Sequence, residues 1–183
     1  GGLRPALSTE RLRLVPANPA HLDLLAGLNC DPDVMRYLLG RAATRAEVET
    51  EWAERLGVRT DEGRGLGYWV GFVDDDFVGW WSASSFATDP TVAGVGYRLR
   101  RATWGAGLAT EGGRAMVTHA FGVPEVARVV ASTMAVNLAS RAVLAKLGMT
   151  HVDSYVEEWE DPLPGSDQGE VVYALTRRDW LER

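Results

Sequence analysis

Cysteine and long apolar runs are nearly absent from this sequence of 183 residues. Its single cysteine, Cys30, cannot form an internal disulfide, which fits a reducing compartment. No stretch of about 18 apolar residues is present, so we expect no transmembrane helix. No signal-peptide pattern opens the chain. Together these absences predict a cytoplasmic protein that is not attached to a membrane.

Histidine is also scarce, and the 25 acidic residues outnumber the 19 lysines and arginines. The sequence has three histidines and no cysteine–histidine cluster with metal spacing, so we expect no metal. Its formal net charge of −6 argues against nonspecific nucleic-acid binding, which requires a positive field. An acidic surface favours a cationic acceptor such as an amine, although solubility alone also accounts for it.

The chain length predicts one domain over residues 1–183, in which Gly1 and Gly2 resemble the remnant of a cleaved tag. Apolar periodicity predicts the element order β-α-α-α-β-β-β-α-β-α-β-β, an α/β chain. The predicted strands cover residues 9–16, 68–73, 77–82, 92–99, 126–133, 150–160 and 170–175. The predicted helices start near Pro19, Pro32 and Thr44 and cover residues 108–121 and 138–147.

The loop from Arg100 to Gly107 connects a predicted strand to a predicted helix. It ends in Gly105-Ala106-Gly107, and glycines let the backbone approach a ligand closely. The helix start offers unpaired N–H groups and a partial positive charge, which suit a pyrophosphate. Arg100 and Arg101 add charge that would meet phosphate oxygens.

Two other phosphate-binding motifs are excluded. A P-loop requires Gly-x-x-x-x-Gly-Lys-Ser/Thr, and no such string occurs. A dinucleotide fingerprint requires a third glycine where Thr110 stands, which argues against an NAD-type oxidoreductase. The loop is therefore interpreted as a backbone cradle for an anion, although Gly-x-Gly also occurs in simple turns.

Four segments follow one another in a characteristic order. They are Thr9-Glu10-Arg11-Leu12-Arg13-Leu14, residues 31–38, Gly96-Tyr97-Arg98-Leu99 with residues 104–111, and residues 137–149 with their Asn-x-x-Ser start and Gly-Met end. This series resembles the GNAT family of N-acetyltransferases, in particular its RimJ/RimL branch of ribosomal-protein N-terminal acetyltransferases. The similarity extends from Thr9 to Trp180.

The resemblance implies a mixed, mostly antiparallel central sheet with flanking helices. Two neighbouring parallel strands, residues 92–99 and 126–133, would splay apart to form an acyl-CoA cleft. Gly94 and Gly96 fit such a crowded place, although both also fit a simple bulge. Trp80 and Trp81 would face opposite sides of their strand, and together with Trp104 they would cluster around the cleft.

The resemblance also implies acetyl-CoA as the co-substrate. The backbone of Tyr97, Arg98 and Leu99 would bind the pantetheine arm, and Asn137 and Ser140 would contact the same arm. The phosphates would lie on residues of the loop and the helix start, namely Arg100, Arg101, Trp104, Gly105, Ala106, Gly107, Leu108, Ala109 and Thr110. Ala102 stands at the first position of the family's Gln/Arg-x-x-Gly-x-Gly/Ala loop, which leaves the backbone as the main phosphate ligand.

The implied reaction is direct attack of an amine on the thioester. In many members a tyrosine protonates the departing thiolate, but Leu144 occupies that place here. Ser140, one helical turn earlier, is the alternative donor. Asn137 would act beside it, by capping the helix or by bonding the pantetheine or a water.

The base is predicted less directly, because Gly94 replaces a glutamate that the branch often carries. Glu158 and Glu160 share one face of the predicted strand 150–160 and are the candidate bases. Asp89 and a water relay are the alternatives.

The predicted function is transfer of an acetyl group to a primary amine. The acceptor classes are a protein N-terminus and small-molecule amines, including amino acids, polyamines and antibiotics. The departures at Leu144 and Gly94 leave a second possibility, a non-catalytic acyl-CoA-binding or regulatory module on the same fold. A homodimer is a further expectation, because dimers are common among such proteins.

Overall fold

A computed structural model describes residues 4–183, except for the side chain of Thr60. Gly1 and Gly2, interpreted above as a tag remnant, lie outside the described residues. One sheet of eight strands carries the fold, in the spatial order β1-β2-β3-β4-β5-β6-β8-β7. In the part of the chain that is described, no helix is long and apolar enough to cross a membrane.

The strands are β1 (Leu7–Ser8), β2 (Arg13–Pro16), β3 (Gly67–Val73), β4 (Asp76–Phe86), β5 (Asp89–Leu99), β6 (Arg128–Met134), β7 (Thr150–Tyr155) and β8 (Glu170–Thr176). The helices are α1 (Leu22–Asn29), α2 (Arg45–Leu56), α3 (Arg59–Glu62), α4 (Leu108–Phe121), α5 (Leu138–Lys146) and α6 (Arg177–Leu181). Short 3-10 turns cover Pro19–His21, Arg101–Thr103 and Ser166–Gln168.

All neighbouring strands are antiparallel except β5 and β6, which are parallel. These two strands pair only at Val92↔Arg128, Ala93↔Val129 and Gly94↔Val130. Beyond Gly94 they separate, because each turns to its other neighbour: β5 continues its pairing with β4 to Leu99, and β6 continues with β8 to Met134. The predicted mixed sheet with a splayed parallel pair is confirmed.

Helices cover both faces of the sheet. We call the face under α4 and α5 the α4 face, and the face under α1 and α2 the α2 face. Trp81 packs on the α4 face and Trp80 on the α2 face, which confirms the prediction that adjacent tryptophans point to opposite sides. A Cβ added to Gly112 of α4 would lie 2.3 Å from Trp81 Cε2. The glycine is therefore needed for close packing between helix and sheet.

Local capping signals explain where several helices begin and end. Thr44 and Glu47 form a reciprocal capping box at the start of α2, and Gly57 follows its last residue. Asn137 Oδ1 accepts a hydrogen bond from Ser140 N at the start of α5. Gly148, with φ of +88°, stands just after this helix, where a left-handed residue favours glycine.

Several predicted boundaries are wrong. The helix predicted near Pro32 is a series of turns across residues 32–39, and the strand predicted over residues 150–160 ends at Tyr155. Of the strand predicted over residues 9–16, only β2 (Arg13–Pro16) forms, since residues 9–12 make a turn in which Thr9 Oγ1 accepts a hydrogen bond from Leu12 N. The short helices α3 and α6 were not predicted.

Candidate active site

A cavity of about 1720 Å³ opens where β5 and β6 separate. Its walls come from both faces of the sheet. Gly113, Ser140 and Leu144 line it on the α4 face, and Asn29 and Glu51 line it on the α2 face. The gap between the strands thus joins the two faces through the middle of the sheet.

The loop before α4 contributes mainly backbone to this cavity. Gly105 and Gly107 have φ of +79° and +81°, values that favour glycine. Gly107 is the N-cap residue and provides no side-chain cap. The first hydrogen bond of the helix runs from Glu111 N to Gly107 O over 3.0 Å. The N–H groups of the residues between them are free of intrahelical partners, so the helix start can bind an anion.

Arg11 and Glu111 hold this loop in place, and sequence reasoning did not single them out. Arg11 Nη1 donates to Ala106 O at 2.8 Å, and Arg11 Nε donates to Glu111 Oε1 at 2.8 Å. Thr9 Oγ1 and Arg11 N both donate to Glu111 Oε2. Burial raises the pKa of Glu111, but the bonds from Thr9 and Arg11 outweigh it, so its pKa is lowered.

The two loop arginines occupy different places. Arg100 Nη1 donates to Phe77 O at 3.0 Å, and Arg100 is not part of the cavity wall. Arg101 lines the cavity and pairs with Asp33. Of the other predicted phosphate residues, Trp104, Gly105, Gly107, Leu108, Ala109 and Thr110 line the cavity, and Ala106 does not. The carbonyl of Ala106 is instead the anchor for Arg11.

The end of β5 sends its side chains to opposite faces. Arg98 Nη1 donates to Asn29 Oδ1 at 2.9 Å and to Glu51 Oε1 at 3.2 Å on the α2 face. Burial lowers the pKa of the Arg98 guanidinium. Tyr97 points to the α4 face, where burial raises the pKa of its hydroxyl and a hydrogen bond with Ser140 opposes that rise. Leu99 is buried and lines the cavity as well.

The start of α5 brings Asn137 and Ser140 to the cavity wall. Asn137 is the helix cap, so its side-chain oxygen is already engaged by Ser140 N. Leu144, one turn later, is 3% exposed and also faces the cavity. Since leucine carries no proton to donate, Ser140 is the hydroxyl of α5 that stands in this wall, beside the hydroxyl of Tyr97.

The predicted acids are not in the cavity wall. Glu158 and Glu160 were placed on one strand face, but they follow the end of β7 and do not line the cavity. Glu158 lines a smaller hollow with Trp159 and Pro162. Asp89 also lies outside, and hydrogen bonds from Thr91 lower the pKa of its carboxyl.

Two other carboxylates, Glu157 and Glu170, line the cavity instead. Glu170 opens β8 and pairs in register with Met134 of β6 and Tyr155 of β7. Sequence reasoning missed both residues. It had no signal for Glu170, because the sequence does not reveal that β8 lies between β6 and β7.

The family follows from comparison with known proteins. The family profile described as "Acetyltransferase (GNAT) domain" matches residues 11–150. The chain belongs to the GNAT acetyltransferase family. It is therefore an acetyl-CoA-dependent N-acetyltransferase, as the resemblance implied.

Two curated relatives are similar over most of their length. The "FsC-acetyl coenzyme A-N(2)-transacetylase" of Aspergillus fumigatus is 39% identical over 188 residues, covering 97% of this chain and 79% of the relative. The uncharacterized protein YkkB of Bacillus subtilis is 30% identical, covering 86% of this chain and 91% of the relative.

Solved GNAT structures share the fold. The RimL ribosomal L7/L12 alpha-N-protein acetyltransferase, solved with coenzyme A, has a TM-score of 0.76 at 21% identity over 96% of this chain and 98% of its own. The aminoglycoside acetyltransferase AAC(6')-Ib, also with coenzyme A, has a TM-score of 0.71 at 19% identity over 94% and 97%. Proteins with different acceptors thus resemble this chain to similar degrees.

Proposed function

We propose that this acetyltransferase transfers the acetyl group of acetyl-CoA to a primary amine by direct attack on the thioester. The observation that carries the proposal is the gap between β5 and β6, which opens beside the free N–H groups at the start of α4. One continuous stretch of chain thereby supplies a strand edge for the pantetheine arm and an anion site for the phosphates.

The fit to acetyl-CoA rests on backbone rather than on charged side chains. Beyond Gly94, the edge of β5 that faces β6 has no strand partner in the described residues, so backbone groups there can bond an extended ligand. The exception is Leu99 O, which accepts a hydrogen bond from Trp104 Nε1 at 3.0 Å. The glycine turns at Gly105 and Gly107 keep side chains away from the helix start. A Cβ at Gly107 would lie 3.4 Å from Arg11 Nη2, which places that guanidinium beside the anion site as well.

Catalysis requires three tasks: removing a proton from the ammonium, stabilising the oxyanion and protonating the thiolate. N–H groups of the unpaired β5 edge are suited to polarise the thioester carbonyl. Ser140 is the proton donor to the thiolate, and Asn137 fixes its position through the helix cap. The Tyr97 side chain lines the same wall as Ser140.

The acceptor enters from the α2 face and is a protein N-terminus or a small amine. A RimJ/RimL-type acceptor is supported by the likeness to RimL, and a small-molecule acceptor by the likeness to AAC(6')-Ib. The cavity wall on this side combines carboxylates with aromatic and aliphatic groups, including Glu51, Trp80, Tyr155 and Trp159. Such a wall suits an amine attached to an apolar body.

A thiol-release assay tests the proposal. Purified protein is incubated with acetyl-CoA and a panel of peptide N-termini, amino acids, polyamines and aminoglycosides, and free CoA is measured. Turnover with at least one amine, lowered about 10- to 100-fold in Ser140→Ala, supports the proposal. Tight CoA binding with no turnover on any amine would instead support the non-catalytic module.

A further inference from the structure

Glu170 is a carboxylate in the wall of the acceptor side of the cavity. It is half-buried, and it lines the cavity with Glu157 and Tyr155. Glu170 begins β8, and its neighbour Val171 belongs to the core on the α4 face. Since successive side chains of a strand point to opposite faces, Glu170 points to the α2 face.

The same alternation puts other side chains of the cavity wall on the α2 face, together with Glu170. Arg98 bonds Asn29 and Glu51 on the α2 face. Met134 and Tyr155 pair directly with Glu170 in the sheet and therefore share its face. The amine that enters from the α2 face thus meets Glu170 on the β6–β8 wall, opposite Arg98 on the β5 wall.

The charge around Glu170 is unbalanced. Within residues 4–183, neither Glu170 nor Glu157 takes part in an ion pair. Burial raises the pKa of Glu170, and the charge of Glu157 raises it further. Both carboxylates also raise the pKa of Tyr155. The remaining charged groups of the cavity wall are Asp33, Arg36, Glu47, Glu51, Glu54, Arg55, Arg98, Arg101 and Lys146.

We propose that Glu170, which lines the acceptor side of the cavity without an ion-pair partner in residues 4–183, is the catalytic base that deprotonates the acceptor ammonium. The assignment rests on the proposed acetyl transfer. A carboxylate without a cationic partner binds an ammonium strongly when water is partly excluded. A base whose pKa is brought toward the working pH then removes the proton most effectively.

The proton balance is complete with the residues present. Glu170 takes one proton from R–NH₃⁺, and the free amine attacks the thioester carbon to form the new C–N bond. As the C–S bond breaks, Ser140 gives its hydroxyl proton to the thiolate sulfur and takes the second nitrogen proton in return, so its hydroxyl is restored. Glu170 returns its proton to solvent through the open α2 side. The products are the N-acetyl amide, CoA thiol and one proton.

The first test is the pH profile of kcat/KM with the best amine of the panel. The rate of the wild type rises with pH as Glu170 loses its proton. Glu170→Gln should lose about 100-fold or more at pH 7, in the range of general-base catalysis, together with this acidic limb. Glu170→Asp should keep the limb. Glu157→Gln should move the limb to lower pH, because removal of a like charge lowers the pKa of Glu170.

The controls separate this assignment from its rivals. Glu10→Gln, at an exposed position, should leave the profile unchanged. CoA affinity, measured by calorimetry, should be the same in every variant, which shows that each is folded. The proposal is overturned if Glu170→Gln stays within threefold of the wild type, or if Glu158→Gln or Glu160→Gln removes the limb instead.

A second measurement needs no acceptor. Carbon-13 NMR follows the side-chain carboxyls during a pH titration of the CoA-bound protein. Glu170 should titrate at higher pH than the exposed glutamates, and the difference should shrink in Glu157→Gln. The proposal is overturned if Glu170 titrates at the same pH as the exposed glutamates. Absence of turnover on any amine, with normal NMR titration, refutes the transfer function and leaves the carboxylate pairing supported.

Discussion

The two sides of the cavity are built in different ways. On the α4 face, the end of β5, the loop with its two glycine turns and the start of α4 form one continuous segment, residues 95–110. On the α2 face, the wall consists of side chains from α1, the turns after it, α2 and the β7–β8 region. The loop residues proposed to bind acetyl-CoA are therefore neighbours in the sequence, whereas the residues proposed to bind the acceptor come together only after folding.

This difference explains why the donor was easier to predict than the acceptor. Glycine spacing and a helix start are local features, and neighbouring residues report on them directly. Glu170 and Glu51 are far apart in the sequence, and they meet the same cavity because α2 and β8 pack around the separated strands. Each of the following predictions tests one side against the other, from the largest expected effect to the smallest.

Gly107→Asp should weaken CoA binding by at least about 100-fold, or roughly 2.7 kcal/mol. It places a negative charge at the anion site and a side chain at φ of +81°. Gly107→Asn is the matched control, because asparagine has the same shape, tolerates left-handed backbone and is neutral. Calorimetry with CoA measures both variants. Equal CoA affinities of Gly107→Asp and the wild type would show that the phosphates do not bind at this loop.

Ser140→Ala should lower kcat by about 10- to 100-fold, because water only partly replaces a positioned proton donor. The backbone N–H of residue 140 still bonds Asn137, so α5 keeps its cap. Steady-state kinetics and CoA titration separate the two effects: kcat falls while CoA affinity stays. Ser8→Ala, at an exposed site of β1, serves as the control. An unchanged kcat would show that Ser140 is not the proton donor to the thiolate.

Gly112→Ala should destabilise the protein by about 2 kcal/mol although alanine favours helices, since overpacking a core commonly costs 1–3 kcal/mol. The new methyl would collide with the Trp81 ring under α4. In α1, on the other face, Gly27 has no atom within 4 Å of an added Cβ. Gly27→Ala should therefore stabilise the protein by about 0.5–1 kcal/mol. Urea unfolding of the two variants checks the contrast, and a stabilising Gly112→Ala would contradict it.

Glu111→Gln should reduce stability by about 1 kcal/mol at pH 7, because it weakens charge-assisted bonds from Thr9 and Arg11. The pKa of Glu111 is lowered in the folded state, so its stabilisation is present above the unfolded pKa of roughly 4.3 and is lost as the pH falls through the folded pKa. Urea midpoints of wild type and variant should differ at pH 7 and converge as the pH falls through the folded pKa of Glu111. A constant difference would show that the carboxylate charge is not involved.

Most of the donor side could be predicted from sequence, and particular residues show why. The capping box of Thr44 and Glu47 and the cap at Asn137 act within four residues, so a local pattern specifies them. The separation of β5 and β6 came from the family resemblance, since spacing alone says nothing about which strands are neighbours. Arg11 fits the pattern of a strand, and no local pattern reveals its contact with Ala106, because the two residues are 95 positions apart.

The acceptor side could not be predicted in the same way. Residues 31–38 carry a helix-like pattern, yet they fold as turns that end at Gly40, where φ is +72° and Leu163 packs against the backbone. The strand pattern of residues 150–160 continues past Tyr155, but β8 begins with the partner of Tyr155, Glu170, and offers no further residues to pair with. Glu158 and Glu160 therefore do not lie on a strand that would direct their side chains into the cavity.

The gap between β5 and β6 also has a consequence for the kinetic mechanism. Because the cavity passes from one face of the sheet to the other, the proposed direct transfer predicts that acetyl-CoA and the amine reach the reacting centre by separate entrances. Neither substrate has to leave before the other can bind, and no acetylated enzyme has to form between them. The expected kinetics are those of a ternary complex, with double-reciprocal lines that intersect rather than run parallel, and the acceptor can exchange while CoA stays in place.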